Sequence, residues 1–168
     1  VAKALEKAGV TLLNTGIGWH EARVPTIVTS VPRAAFVDVT AEVKKHVTIP
    51  VIASNRINMP DLAESIIATG KADMVQMARP FLADPHWVNK AAANQADEIN
   101  TCIACNQACL DHAFSNKRVS CLVNPQACRE TELIYVKTAK PKKVAVVGGG
   151  VAGMSAAIVA AERGHNVT

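Results

Sequence analysis

The chain has 168 residues, of which 49% are hydrophobic and 19% charged, ordinary proportions for a chain that buries a core. Its 18 Lys+Arg against 14 Asp+Glu leave a formal net charge of +4, too mild and too evenly spread for a nucleic-acid binder. No apolar run reaches the roughly 18 residues of a membrane span and no signal-peptide pattern opens the chain, so no membrane partner and a cytoplasmic location are expected.

Val1 to Ala8 reads as the end of a helix, stopped at Gly9 by a residue that tolerates a left-handed backbone. Three short apolar runs follow at 11–17, 49–53 and 73–77. The latter two lack polar alternation, as strands covered on both faces do. Between and after them lie helical patterns. Phe36, Val39, Val43 and Val47 share one face, as do Leu62, Ile66 and Ile67, with Pro60 in the first turn and Gly70 as the stop. Asp84 before Pro85 opens a third helix carrying Trp87, Val88, Ala91 and Ala92. Strands alternating with helices imply parallel β-structure with crossover helices, either a doubly wound sheet or part of a (β/α)8 barrel.

From about Asp97 to Tyr135 the periodicity vanishes, and all five cysteines fall here. The stretch is too short to bury a core, so a covalent or coordinative constraint must order it. A basic connector (Lys137, Lys140, Lys142, Lys143) reads as a solvated linker. From Lys143 to Thr168 the pattern is strand, glycine turn, helix and the start of a strand. The chain begins at Val1 inside a helix and stops at Thr168 inside a strand, and we expect an interior segment of a longer polypeptide.

Cys102, Cys105, Cys109 and Cys121 form C-x2-C-x3-C-x11-C. Three close thiolates and a fourth after a loop suit a [4Fe–4S] cluster, one ligand per iron. Zinc is the rival, although four-cysteine zinc sites usually present two C-x2-C-like pairs. A disulfide framework does not fit a chain without secretory features. Cys128 stands outside the spacing, and His112 could join only a zinc site.

Gly148-Gly149-Gly150-Val-Ala-Gly153 satisfies G-x-G-x-x-G directly after an apolar strand and at a helix start. Gly148 makes the tight turn, Gly150 admits a pyrophosphate and Gly153 allows close packing. The acidic ribose-binding residue would fall just beyond Thr168, so FAD and NAD remain open on this motif.

The loop Thr15-Gly-Ile-Gly18-Trp-His20-Glu21-Ala22-Arg23 follows the first strand, where α/β folds carry chemistry. His20 can donate a proton near neutral pH, or be merely solvated. Arg56 and Arg79 lie just past the next two strands and could clamp one phosphate, or be solvated. His46, His86, His112 and His165 read as surface or helix-end residues.

T-G-I-G-W-H-E-A-R at 15–23, N-R-I-N at 55–58, M-A-R-P-F-L-A-D at 77–84, the cysteine spacing and the glycine turn occur in this order. Together they resemble the old yellow enzyme-related iron–sulfur flavoproteins of the bacterial NADPH-dependent 2,4-dienoyl-CoA reductase type, over essentially the whole chain. The resemblance implies three modules. They are the last units of an FMN-binding (β/α)8 TIM barrel (1–97), a [4Fe–4S] segment (98–135) and, after a linker at 136–142, the start of a Rossmann-like FAD/NAD(P)-binding domain (143–168).

It also implies roles. His20 is a catalytic acid whose tyrosine partner lies outside this chain, and His20, Glu21, Ala22 and Arg23 line the substrate pocket. Arg56, Ala78 and Arg79 bind FMN; Gly148, Gly150, Ala152 and Gly153 meet FAD; Cys102, Cys105, Cys109 and Cys121 ligate the cluster. The implied reaction is reduction of conjugated dienoyl-CoA thioesters in unsaturated fatty acid breakdown, with electrons passing from NADPH through FAD, cluster and FMN. Enoate reductases share the layout. Amine dehydrogenases of the trimethylamine type carry a closer cysteine trio, C-x2-C-x2-C. A non-catalytic zinc-stapled module is the alternative of another class.

Overall fold

Strands β1 (Leu13–Thr15), β2 (Val51–Ala53) and β3 (Met74–Val75) pair in that order, all parallel. The register sets Leu13 opposite Val51, Thr15 opposite Ala53 and Ala53 opposite Val75. Parallel pairing brings all three C-terminal ends to one edge, and the loops leaving that edge build the site. The computed structural model describes all 168 residues in two compact units, Val1–Cys128 and Arg129–Thr168.

In the first unit, α1 (Ala2–Lys7), α2 (Val37–Lys44), α3 (Pro60–Ala68), α4 (Arg79–Ala83) and α5 (Trp87–Ala92) intersperse the strands and follow them. Val37, Ile66, Trp87 and Ile99 pack with Ala53 of the central strand in one apolar core. The strands are shorter than the apolar runs, and side chains add to their backbone bonding at the ends. The Asp73 carboxylate accepts from Val51 N–H at 2.9 Å, Glu6 accepts from Thr48 and Ile49 N–H, and Ser54 Oγ donates to Thr15 C=O at 2.5 Å.

Two helical faces differ from expectation. On α2 the buried residues are Val37 and Thr40, while Val39 is exposed. Thr40 can turn inward because its hydroxyl meets that of Thr15 at 2.7 Å, and Thr15 Oγ1 bonds Ile52 C=O, so the polar group is satisfied inside. On α5 Trp87 is buried, its Nε1–H donating to Asn58 C=O, while Val88 is exposed. A separate helix, α4, also starts at Arg79 itself, tolerating Pro80 in its first turn. Asp84 ends α4, and its carboxylate accepts from the His86 N–H that opens α5.

The cysteine segment up to Cys128 forms part of the first compact unit. It contains one turn of helix, α6 (Leu110–Phe114), that no periodicity announced.

The second unit is a β-α-β arrangement of β4 (Lys143–Val144), α7 (Val151–Glu162) and β5 (Asn166–Val167), its strands parallel. Gly148 has φ +109°, and a Cβ on Gly153 would lie 1.9 Å from Gly148 C=O. Both positions therefore require glycine.

Candidate functional site

A cavity of about 420 Å³ opens at the C-terminal edge of the three strands. Asn14 and Gln76, from β1 and the end of β3, lie in its wall and join their side-chain amides. Asn55 and Arg56 leave β2 in consecutive left-handed conformations, with φ +70° and +58°, a strained pair that persists only when tied down. Asn55 Nδ2 is tied to Ile17 C=O at 2.6 Å, Arg56 Nε to Val31 C=O at 2.9 Å, and Arg56 C=O accepts from Ala34 N–H. Arg79 Nη1 donates to Ile27 C=O and to Asn106 Oδ1, and Asn106 Nδ2 donates to the same carbonyl at 3.1 Å.

Arg56, Ala78 and Arg79 line this one cavity, and no Asp or Glu does. Burial pulls the Arg56 guanidinium below its ordinary pKa, Arg79 adds like-charge repulsion, Cys102 opposes the shift and Arg33 reinforces it. Two uncompensated guanidiniums in a concave site favour a bound anion such as a phosphate. Asn58, 5% exposed, also lines the cavity, and its Oδ1 is buried without a partner. That acceptor needs a donor, which a flavin ring N–H or a ribityl hydroxyl would supply. Size, charge and orphaned acceptor all fit FMN.

A second cavity of about 290 Å³ shares Gly16, Thr26, Ile27 and Asn55 with the first. His20 lies in its wall, with its ring 4.3 Å from Trp19 and 5.2 Å, stacked, from Phe114. Gly18 has φ +80°, and a Cβ there would meet Thr26 Cγ2 at 2.7 Å, so glycine lets the loop turn against Thr26. Glu21, Ala22 and Arg23 are not among the lining residues, and Glu21 and Arg23 face solvent.

Cys102, Cys105, Cys109 and Cys121 line a third, small pocket walled by Leu82, Ile103 and Val123, with Arg79 at its edge. Ala104 and Asn106, at φ +54° and +63°, bend the chain on either side of Cys105 so that it wraps the pocket. Burial pushes the Cys109 thiol pKa up, outweighing the Leu110 N–H and Arg79, which favour thiolate. No disulfide joins the five cysteines. No three His, Cys, Asp or Glu side chains converge tightly enough for one metal ion. Cys128 is outside the pocket, and His112 turns its Nδ1 to Arg118 C=O at 3.0 Å. Cys102 and Arg79 line both this pocket and the 420 Å³ cavity.

In the second unit, Gly149 and Gly150 face open space, so a ligand can approach the backbone there, and Ala152 lies exposed in the first turn of α7. The residue spacing did not single out Asn14, Asn58, Gln76, Asn106 or Phe114. Asn55 and Asn106 had at most a local signal, since asparagine tolerates the left-handed backbone that both adopt.

Residues 1–98 match the NADH:flavin oxidoreductase / NADH oxidase family, and residues 143–168 match an FAD binding domain family. The chain is 52% identical over 99% of its length to a metal reductase of Desulforamulus reducens. It is 46% identical to an NADH oxidase of Thermoanaerobacter brockii and 38% identical to a cinnamate reductase of Clostridium sporogenes, again over 99% of its length. It spans about a quarter of each of these relatives: 25%, 26% and 25%. Among solved structures, a 2-naphthoyl-CoA reductase in complex with 2-naphthoyl-CoA superposes on 98% of this chain, which covers 26% of that one, with a TM-score of 0.92 at 36% identity.

Proposed function

Because the chain belongs to the NADH:flavin oxidoreductase / NADH oxidase family, we propose that it is the part of a flavin-dependent reductase that joins the FMN site, a [4Fe–4S] cluster and the substrate acid. The substrate class is an electron-poor, conjugated C=C of an acyl-CoA thioester, with a 2,4-dienoyl-CoA as the first substrate to test and NADPH as donor. The observation that carries the reading is the wall of Gly16, Thr26, Ile27 and Asn55 shared by the cavity fit for FMN and the pocket of His20.

When bound, the cofactors supply a relay from the two-electron donor NADPH at FAD, through single electrons at the cluster, to two-electron reduction at FMN. The chain's own residues position them. Arg56, Ala78 and Arg79 would hold FMN, the two guanidiniums offsetting its negative charge, with Asn58 Oδ1 as a free acceptor in the same wall. Cys102, Cys105, Cys109 and Cys121 hold the cluster. Their C-x2-C-x3-C-x11-C spacing, with all four on one small pocket, supports the cluster over zinc, whose four-cysteine sites usually present two C-x2-C-like pairs. Gly148, Gly150, Ala152 and Gly153 leave backbone access for FAD. His20 gives a proton to the substrate carbon that becomes basic as the conjugated system is reduced, while Trp19 and Phe114 hold its ring. In this reading 1–97 belongs to the barrel, 98–135 to the cluster module and 143–168 to the FAD domain.

The cinnamate reductase relative favours a second reading, in which the substrate is an enoate rather than a thioester. Turnover of a dienoyl-CoA against free cinnamate by the full-length enzyme separates them. His20→Ala should slow product formation by about 10²-fold or more while flavin reduction by NADPH in stopped flow keeps its rate. Unchanged product formation would remove the acid role. Anaerobically prepared enzyme should hold about four irons and four sulfides per chain, and stoichiometric zinc without sulfide would end the relay reading.

A further inference from the structure

The His20 pocket is not built by the strand loops alone. Leu110 and Phe114, four residues apart on α6 and so on one helix face, complete its wall. The helix opens directly after Cys109, its N-cap, and its position is fixed by the cysteine loop, with Asp111 N–H donating to Asn106 C=O and Ser120 N–H to Ala108 C=O. Phe114 stacks on the His20 ring at 23° between planes, yet remains 63% exposed. An aromatic ring held at a cavity rim with much of its surface in solvent suits a flat apolar group arriving against it. The rest of the lining carries no charged side chain other than His20 itself if protonated.

We infer that Phe114 is a specificity-determining residue, the wall against which the flat conjugated acyl group of the substrate lies. The inference rests on reading the His20 pocket as the substrate pocket. It makes the cysteine segment part of substrate recognition as well as of electron delivery, because whatever orders Cys109 also places α6.

The test uses the full-length enzyme and two CoA thioesters, one flat and extended (cinnamoyl) and one compact (crotonyl). Dissociation constants are read from flavin absorbance in the oxidised enzyme, and KM and kcat from turnover. Phe114→Leu keeps most of the apolar volume and removes the ring. It should weaken cinnamoyl-CoA binding roughly tenfold and crotonyl-CoA by no more than about twofold. Because Phe114 also stacks on His20, kcat should fall by a similar factor for both thioesters, and the discrimination is read in the dissociation constants. Phe114→Tyr should restore wild-type discrimination. Iron and flavin contents should match the wild type in both variants. Equal weakening of the two thioesters, or no weakening of either, would overturn the assignment of Phe114. If the wild-type enzyme binds neither thioester at this pocket, the substrate reading itself falls, and the assignment with it.

Discussion

Val51 and Ala53 are fully buried, and α2, α3 and α5 bring Val37, Ile66 and Trp87 to the core around β2. In 98–128, by contrast, only Ile99, Ala104, Asn124 and Ala127 are buried. The segment is instead tied down by polar links. Asn58 Nδ2 donates to Cys102 C=O at 3.0 Å, Thr29 Oγ1 to Ile103 C=O at 2.8 Å, and Asn124 Nδ2 to Leu82 C=O at 3.0 Å. One wall of the cofactor cavity thus rests on apolar burial that the chain supplies by itself. The other rests on hydrogen bonds worth about 1 kcal/mol each and on a cysteine pocket that invites an external ligand. The first should survive loss of that ligand, and the second should not.

The harshest way to break this contrast is Cys105→Ser in the full-length enzyme. We expect iron content to fall from about four per chain to near zero, with NADPH-driven turnover down more than about 100-fold. Hydrogen exchange should accelerate across 98–128 and stay slow at β2 and α3. If exchange rises equally in both regions, the strands depend on the cluster as much as the segment does, and the contrast is wrong.

A milder break lies at the joint between the regions. Asp84 is 1% exposed, and its carboxylate accepts from Lys90 Nζ at 2.7 Å, from Asn100 N–H at 2.9 Å and from His86 N–H at 2.9 Å. Burial raises its pKa, but the bonds from Lys90, Asn100 and His86 outweigh it, and the carboxyl is held below its ordinary value. A carboxylate lowered on folding stabilises the fold above the unfolded carboxyl pKa of about 3.9. That contribution is lost as the pH falls through the folded value. At pH 7 Asp84→Asn should cost about 2–3 kcal/mol, less than a fully desolvated pair because the Lys90 side chain is 24% exposed. Hydrogen exchange of peptides spanning 84–100 should show the loss at pH 7, with the gap between variant and wild type narrowing below about pH 4. A gap independent of pH would mean that Asp84 acts by shape alone.

The same contrast explains what could be read in advance. The strands and the order of the helices were legible because apolar burial writes unbroken runs and periods into the sequence, as Val51-Ile52-Ala53 and Leu62 with Ile66 do. The inward side of α2 was misread because Thr40 is buried through a hydroxyl pair that no hydropathy pattern records. The cysteine positions were legible as spacing, and the pocket does gather the four. Their supports were not. Asn106, Asn58 and Phe114 act through contacts with residues 79, 102 and 20, far apart in sequence and adjacent only after folding.

Asn106 offers the smallest and most pointed test. Its amide spans the joint, accepting from Arg79 Nη1 and donating to Ile27 C=O, while its own φ of +63° suits asparagine or glycine better than alanine. Asn106→Gly therefore removes the amide without adding backbone strain and should cost about 1 kcal/mol locally. Because Arg79 lines both the cofactor cavity and the cysteine pocket, that loss should appear at both sites. FMN should dissociate about threefold to fivefold more readily, since about 1 kcal/mol is a factor near five, and the reduction potential of the cluster should shift. Asn106→Ala should add a further cost of roughly 1 kcal/mol from its left-handed backbone. A cluster shift with FMN affinity untouched would show that Arg79 keeps its place without Asn106, and that the two walls meet without being coupled.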